Sequence, residues 1–293
     1  MNPGAPVGIL GVGNMGGAMA ARLLACGWAV RACDLEPAKV QALRAQGAVP
    51  AATPADAARG AAALVVCVVD AAQTEDVLFG WDGAAAVLAA GTPVLLCPTI
   101  GPQDVERLSA RLAQGGALPL DAPMSGGPSR ARDGTMSLMV AASEQAWEAA
   151  RPLVEVLSSK VFRVGSRWGD GARTKLVNNL LAAINLAGAA EALALASRLG
   201  LDPALTLDVI EQSSGQSWIG SDRLRRAIEG DYAPRAHLSL LRKDSRLAVE
   251  AADAAGFHGR LGPLARDVFE QAGQAGLADL DDAALLRFFS ERG

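Results

Sequence analysis

The sequence predicts an α/β domain with a doubly wound sheet, joined by a long central helix to an all-α C-terminal domain. Buried strands alternate with helices as far as about residue 165. After Gly171 no segment is a convincing strand, and the apolar spacing is helical to the C-terminus. The run from about Ala172 to Ser197 is apolar on most sides, which is typical of a buried helix. We therefore predict domains at residues 1–168 and 169–293.

A glycine motif lies between the first two predicted elements, the strand 7–10 and the helix 15–26. Gly11, Gly13 and Gly16 form a G-x-G-x-x-G pattern, which is weak evidence alone but specific on a strand-to-helix turn. There the glycines permit a tight turn, close approach of a pyrophosphate and helix-on-strand packing, and the helix start offers unpaired N–H groups. The motif indicates the nucleotide-binding Rossmann fold, with cofactor contacts predicted at Gly11, Gly13, Asn14, Met15 and Gly16.

The second predicted strand, 29–33, ends at Asp34, about 20 residues further on, where a Rossmann fingerprint expects an acid. A carboxylate there accepts hydrogen bonds from the adenosine ribose and repels a 2′-phosphate, so NAD is favoured over NADP. Arg31, inside the same strand, is the alternative phosphate partner. The remaining predicted strands are 63–69, 93–97, 118–122, 137–140 and 160–164, with a helix at 102–113.

Composition limits the classes of function. The net charge of −4 and the pI near 5.3 give no electrostatic case for nucleic acid or an anionic membrane as partner. We find neither a signal-peptide pattern nor an apolar stretch that we expect to span a membrane, so we expect a cytoplasmic protein. The cysteines, scattered without a C-x-x-C, favour buried free thiols. With only two histidines, a zinc site or a histidine acid/base is poorly supplied, and no metal is predicted.

The central helix carries the candidate chemistry. Lys175 and Asn179 are one turn apart on one face. Burial of a lysine lowers its pKa and makes the neutral amine more accessible near neutral pH, which suits an acid/base. Alternatively, Lys175 extends to solvent from the first turn, and Asn178 and Asn179 are ordinary interhelical hydrogen-bonding residues. An all-apolar helix also predicts a homodimer or homotetramer.

Four motifs, in order, resemble the β-hydroxyacid dehydrogenase family, typified by 3-hydroxyisobutyrate dehydrogenase. They are residues 11–20, 121–127, 171–179 and the Lys243-Asp244 pair with Leu247-Ala248, and the likeness covers nearly the whole chain. Arg22 departs from the family signature, which often has asparagine there. The resemblance implies an NAD-dependent enzyme that oxidises a small hydroxy acid without a metal.

The resemblance also implies roles for individual residues. Lys175 would be the acid/base, and Asn179 would orient the reacting hydroxyl group. The substrate carboxylate would be held by Ser125, Gly126 and Gly127, and the cofactor would be faced by Val69, Thr99 and Lys243. For Lys243 a solvated helix face remains the alternative, and for Asp244 a helix salt bridge.

The substrate stays open among the acids of this family, which include 3-hydroxyisobutyrate, glycerate and L-threonate. Four stretches resemble the L-threonate dehydrogenase branch, namely residues 71–73, 77–80, 216–218 and 229–232. The stretch 175–181, however, is the ordinary version of the family's catalytic stretch and does not indicate a branch. Trp218 is then a candidate substrate contact, with a core position as the alternative. An imine-reductase relative is disfavoured because those enzymes usually lack the lysine. A non-catalytic dinucleotide-binding protein would have no reason to keep Ser125, Lys175 and Asn179 together.

Overall fold

A computed structural model describes residues 6–292 of the chain, which divide into two compact units, one ending at Lys175 and the other beginning at Leu176. The first unit is built on one sheet. Its strands are β1 (Val7–Leu10), β2 (Val30–Cys33), β3 (Val49–Pro50), β4 (Ala63–Val66), β5 (Pro93–Leu96), β6 (Leu118–Asp121), β7 (Met124–Ser125), β8 (Ser137–Ala141) and β9 (Lys160–Gly165).

Six parallel strands lie in the order β3-β2-β1-β4-β5-β6. The chain adds strands on one side of β1 as far as β3 and then crosses to the other side, so the strand order reverses between β1 and β4. This is the strand order of a doubly wound nucleotide-binding sheet, so the predicted Rossmann fold is confirmed. β8 extends the sheet antiparallel to β6 and β7 and parallel to β9. Two strands, β3 and β7, were not predicted, because a two-residue strand leaves no alternation to detect.

The strands at the centre of the sheet are apolar because both of their faces are covered. All residues of β1, β4 and β5 are buried. Neighbours along β1 face opposite sides: Ile9 packs with the cluster around Met19 and Leu23, and Leu10 with the cluster around Leu64 and Leu96. The helices that cover these faces are α1 (Asn14–Ala25), α2 (Pro37–Arg44), α3 (Pro54–Ala58), α4 (Ala71–Phe79), α5 (Pro102–Gln114), α6 (Gly127–Asp133) and α7 (Glu144–Leu157), with a 3-10 turn at Ala84–Val87.

Helix starts in this unit are marked by local signals. Proline stands in the first turn of α2, α3 and α5, where its missing N–H leaves no helical bond unmade. The side chains of Thr53, Asp70 and Ser143 cap α3, α4 and α7 by accepting backbone N–H groups. Arg22, the departure from the family signature, lies in α1, where its Nε donates to the carbonyl oxygen of Val156 at 3.1 Å. Its role here is therefore structural.

The predicted central helix is confirmed as α8 (Asp170–Arg198), whose 29 residues make it about 43 Å long. Within a single chain, however, this helix is not buried on all sides. Leu176, Leu186 and Leu193 are buried, but Val177, Leu181 and Leu195 are more than half exposed. By length and composition alone α8 is apolar enough to cross a membrane, contrary to our expectation for the sequence, although core helices of soluble proteins meet the same criterion.

The second unit is helical. Over the described residues, β structure beyond Gly165 is limited to one bridge between His237 and Asp281, which confirms the all-α prediction. Its core gathers Leu186, Leu193, Leu224 and Phe269. The helices that follow α8 are α9 (Pro203–Glu211), α10 (Trp218–Ile228), α11 (Leu238–Ala254), α12 (Leu261–Ala272) and α13 (Leu285–Arg292), with a π turn at Gly273–Leu277 and a 3-10 turn at Asp282–Ala284.

The cysteines are all free, as predicted, but only Cys97 is fully buried, while Cys26, Cys33 and Cys67 are half-buried. Burial raises the pKa of the Cys33 thiol to about 11 and that of the Cys67 thiol to about 12. Both groups are therefore protonated and unreactive near neutral pH.

Candidate cofactor and active site

The glycine turn between β1 and α1 is shaped by backbone contacts. Gly11 has a φ of +86°, and a Cβ there would lie 2.7 Å from the carbonyl oxygen of Cys67. At Gly16 a Cβ would overlap the carbonyl oxygen of Gly11. Gly13 differs, because a Cβ on it would meet nothing within 4 Å. Two of the glycines close the turn, and the third presents open backbone at the start of a helix without a side-chain cap.

Asp34 follows β2 and is tied to the same turn. Its Oδ2 accepts the N–H of Val12 at 2.7 Å, and its Oδ1 accepts the N–H of Glu36 at 2.9 Å. Arg31, the alternative phosphate partner, donates instead to the carbonyl oxygen of Arg59. Open backbone at a helix start together with a fixed carboxylate suits the pyrophosphate and ribose of a dinucleotide.

Val69 and Thr99 follow two neighbouring parallel strands, β4 and β5. Val69 does not end its strand as predicted: β4 stops at Val66, and the N–H of Val69 donates to Oε1 of Gln73 at 3.2 Å. The chain leaves the sheet here because Asp70 caps α4. Thr99 lies three residues beyond β5 and is half-buried. Both residues therefore stand beyond the carboxyl ends of strands, where ligands bind in such sheets.

The loop predicted to hold a carboxylate begins on β7, where Ser125 pairs with Ser137 of β8. Gly126 and Gly127 have φ values of +125° and +75°, which side chains rarely adopt. The side chain of Arg130 lies across Gly126, with its Cδ 2.9 Å from the position of a Cβ. Ser125, Gly126 and Gly127 are all half-buried, so the loop is accessible to a small anion.

Asp121, the last residue of β6, is a functional candidate to which the sequence assigned no role beyond its motif. It is 1% exposed, and its Oδ2 accepts the N–H groups of Gly169 at 2.9 Å and Ala172 at 3.0 Å. Burial raises the pKa of this carboxyl to about 6, although N–H groups at the start of α8 act in the opposite direction. The signal in the sequence is an acid that closes an apolar strand.

Lys175 stands in the second turn of α8 and is only 8% exposed. The alternative that this side chain extends into solvent is therefore wrong. Arg173, two residues earlier, pairs with Glu106 of α5 at 2.5 Å and helps to anchor the helix start.

In the second unit the polar residues of two helices meet. Asn179, buried on α8, donates from Nδ2 to Oδ2 of Asp244 at 2.6 Å and accepts from Nδ2 of Asn178 at 3.0 Å. Nζ of Lys243 lies 2.8 Å from Oδ1 of Asp244. Both α11 side chains are largely buried, so a solvated face does not describe Lys243, whereas the salt bridge expected as the alternative for Asp244 is present, with Lys243 as its partner.

Trp218 is the first residue of α10, after the capping side chain of Ser217. It is 47% exposed, so the alternative of a core tryptophan is wrong. An exposed indole at a helix start remains available as a contact surface.

The sheet order and the glycine turn define the first unit as a dinucleotide-binding Rossmann domain. Residues 6–165 match a family model described as the NAD-binding domain of 6-phosphogluconate dehydrogenase. Residues 169–289 match one described as NAD-binding of NADP-dependent 3-hydroxyisobutyrate dehydrogenase.

Individual relatives match more than nine-tenths of the chain. An L-threonate dehydrogenase of Cupriavidus necator is 38% identical over 97% of this chain and 95% of its own. A 3-hydroxyisobutyrate dehydrogenase of Pseudomonas aeruginosa is 38% identical over 92% of both. The crystal structure of a 3-hydroxyisobutyrate dehydrogenase from Salmonella typhimurium matches with a TM-score of 0.92 and 36% identity, over 97% of this chain and 100% of that one.

The chain thus belongs to the β-hydroxyacid dehydrogenase family, as its motifs predicted. It is an NAD-binding oxidoreductase that acts on CH–OH groups.

Proposed function

We propose that this protein oxidises a small β-hydroxy acid with NAD and that Lys175 is its acid/base. The observation that carries the proposal is the burial of the Lys175 side chain, at 8% exposure, in a chain whose first unit also holds the glycine turn and the Ser125 loop. An amine shielded from bulk water in an enzyme of this family suits proton exchange with a bound substrate.

In the proposed reaction the Nζ of Lys175 accepts the proton of the substrate hydroxyl, and in the reverse direction it returns that proton to the alkoxide. When bound, NAD supplies the nicotinamide ring that accepts a hydride from the carbinol carbon of the substrate. The hydroxyl of Ser125 and the N–H groups of Gly126 and Gly127 would donate to the substrate carboxylate, as an anion can approach glycine backbone closely.

The cofactor would be held by the turn around Gly11, Gly13 and Gly16, with Asn14 and Met15 at the helix start. Asp34 would accept hydrogen bonds from the adenosine ribose and disfavour NADP. Val69 and Thr99 would line the same edge of the sheet. In the second unit, the hydrogen bond to Asp244 fixes the amide of Asn179, which we propose orients the substrate hydroxyl. Lys243 would contact cofactor and Trp218 would contact substrate.

L-Threonate is our first candidate substrate, because relatives that bear this name match nearly the full chain. Glycerate, 3-hydroxyisobutyrate and L-serine complete a panel, since the relatives include enzymes named for the last two. NADH fluorescence is followed while each acid is added with NAD. Signal with one acid identifies the substrate, whereas silence with all of them, despite measured NAD affinity, would favour a non-catalytic binding protein.

The lysine is tested with Lys175→Ala and, as a matched control, Lys160→Ala in exposed β9. Loss of the acid/base should lower turnover by about 10²-fold or more while NADH affinity stays the same. The control should match the parent. Equal turnover in the Lys175 variant and the parent would exclude the proposed role.

We also propose that the protein is a cytoplasmic homodimer or homotetramer assembled through the exposed apolar side chains of α8. Val177 and Leu181 are 71% and 58% exposed and one turn apart, so they share a face. The double variant V177Q/L181Q should shift sedimentation toward the monomer, while Leu35→Gln, at an exposed site in the first unit, should not. If the parent protein sediments as a monomer, the proposed homodimer or homotetramer is excluded. If the protein is recovered in the membrane fraction of cells, the proposed cytoplasmic location is excluded.

A further inference from the structure

The buried carboxylate of Asp121 joins two segments to which the proposed function assigns different tasks. By its main chain Asp121 ends β6, and the loop that leads to Ser125 starts at the next residue. By its side chain it accepts the N–H groups of Gly169 and Ala172, where α8 starts. One residue thus fixes both the start of the loop that leads to Ser125 and the first turn of α8, the helix that carries Lys175. We call this contact between the end of β6 and the start of α8 the β6–α8 joint.

The space for this contact is provided by a glycine. A Cβ on Gly171 would lie 2.8 Å from Cγ and Oδ1 of Asp121 and 2.8 Å from the carbonyl oxygen of Met139. Gly171 therefore lets the strand end and the helix start approach each other. A second contact supports the same joint: the indole N–H of Trp168 donates to the carbonyl oxygen of Pro119 in β6 at 3.3 Å.

Lys175 depends on this joint through the helix itself. In an α-helix the N–H of Lys175 bonds to the carbonyl oxygen four residues earlier, at Gly171. Gly171 lies between Gly169 and Ala172, the two residues whose N–H groups Asp121 accepts. Displacement of a catalytic group by about 1 Å can cost about 10²-fold in rate. A contact that fixes the first turn therefore controls where the amine is placed.

We propose that Asp121 is a positioning residue that sets the place of Lys175 by holding the start of α8 against the end of β6. This inference rests on the proposed function of Lys175. It assigns Asp121 no contact with substrate or cofactor.

The test compares Asp121→Ala and Asp121→Asn with the matched control Asp170→Ala. Asp170 lies at the same helix start, but it pairs on the surface with Arg167 and Arg173. The alanine variant at Asp121 should lower kcat about tenfold or more, with KM and NADH affinity within about twofold of the parent. The asparagine variant should recover most of kcat, because its amide oxygen can accept the same two N–H groups. Asp170→Ala should keep the parent kcat.

Gly171→Ala offers an independent route to the same joint, because its Cβ would push the carboxylate away. It should lower kcat as Asp121→Ala does, and the double variant should be no worse than either single one. Should Asp121→Ala fail to fold, Asp121→Ser takes its place with the same expectation. Parent-like kcat in Asp121→Ala, equal losses in Asp121→Ala and Asp170→Ala, or a change confined to KM or NADH affinity would overturn the proposal.

Hydrogen exchange separates this inference from the proposed function. Amides at the start of α8 should exchange faster in Asp121→Ala than in the parent or in Asp170→Ala, whatever the turnover. If exchange and kcat both change in Asp121→Ala but Lys175→Ala retains turnover, the proposed function fails while the joint stands. If Lys175→Ala is inactive and Asp121→Ala is not, only the positioning role fails.

Discussion

Replacing Asp121 with asparagine should change the pH dependence of stability in a direction that the structure determines. The folded protein holds the pKa of this carboxyl at about 6, chiefly because burial penalises the charged form. In the unfolded chain the pKa returns to about 3.9. Asparagine keeps the shape and an acceptor oxygen but does not titrate, so the comparison isolates the ionisation.

The sign follows from the raised folded-state pKa. Below about pH 4 the carboxyl is protonated in both states and carries no penalty. As the pH rises from about 4 to 6, the unfolded chain ionises first and the parent loses stability relative to the variant. A shift of about two pKa units corresponds to about 3 kcal/mol. The free energy of unfolding of Asp121→Asn minus that of the parent should therefore rise by about this amount between pH 4 and pH 7.

Urea unfolding at several pH values between 4 and 7.5, followed by tryptophan fluorescence, measures this difference. Asp170→Asn is the contrasting control, since hydrogen bonding from Arg167 lowers the pKa of Asp170. That carboxylate stabilises the fold above its unfolded pKa and loses the effect only as the pH falls through its lowered folded pKa, so the difference between its variant and the parent should stay nearly constant between pH 4 and 7.5. A flat difference for Asp121→Asn, or one that falls with pH, would refute the account of a buried ionised carboxylate.

Three further predictions address the cofactor turn and the second unit. Gly13→Ala should keep the parent Tm but weaken NADH binding about tenfold or more, which corresponds to about 1.4 kcal/mol. Gly16→Ala should instead lower the free energy of unfolding by about 1–3 kcal/mol, because its Cβ would overlap the carbonyl oxygen of Gly11. Fluorescence titration measures the binding and thermal melts the stability, and the reverse pattern would contradict the roles assigned to the two glycines. Asp34→Asn should narrow the preference for NAD over NADP, measured as the ratio of kcat/KM values; an unchanged ratio would mean that this carboxylate does not face the ribose. Asp281→Ala should lower the free energy of unfolding by about 3–5 kcal/mol, because it leaves buried Arg226 without its partner at 2.9 Å. Glu250→Ala, which breaks an exposed pair with Arg246, should cost less than about 1 kcal/mol. Similar losses for the two variants in urea unfolding would refute this ranking.

Local patterns explain why much of the fold was predictable. The strand Val7–Leu10, the glycine turn and the start of α1 are neighbours in sequence, and each has a composition that few other structures allow. The strand at β4 was extended too far because Cys67, Val68 and Val69 continue its apolar run. Apolar composition does not show where hydrogen bonding to the sheet stops.

The same limit applies to the exposed face of α8. Periodicity identified the helix, but Val177 and Leu181 are apolar residues on an exposed face. Whether an apolar residue is covered depends on the element that packs on it, and one chain's pattern does not contain that element.

By itself, the sequence determined the doubly wound sheet, the glycine turn with Asp34 and the helix that presents Lys175, because these features depend on residues within one turn or one strand-turn-helix unit. Only the tertiary structure decided that Asp121 holds the start of α8, 48 and 51 residues away, and that Asp244 fixes Asn179, 65 residues away. The physical reason is that a buried polar group must find a hydrogen-bond partner, and the folded chain, not the spacing along it, determines which partner is in reach.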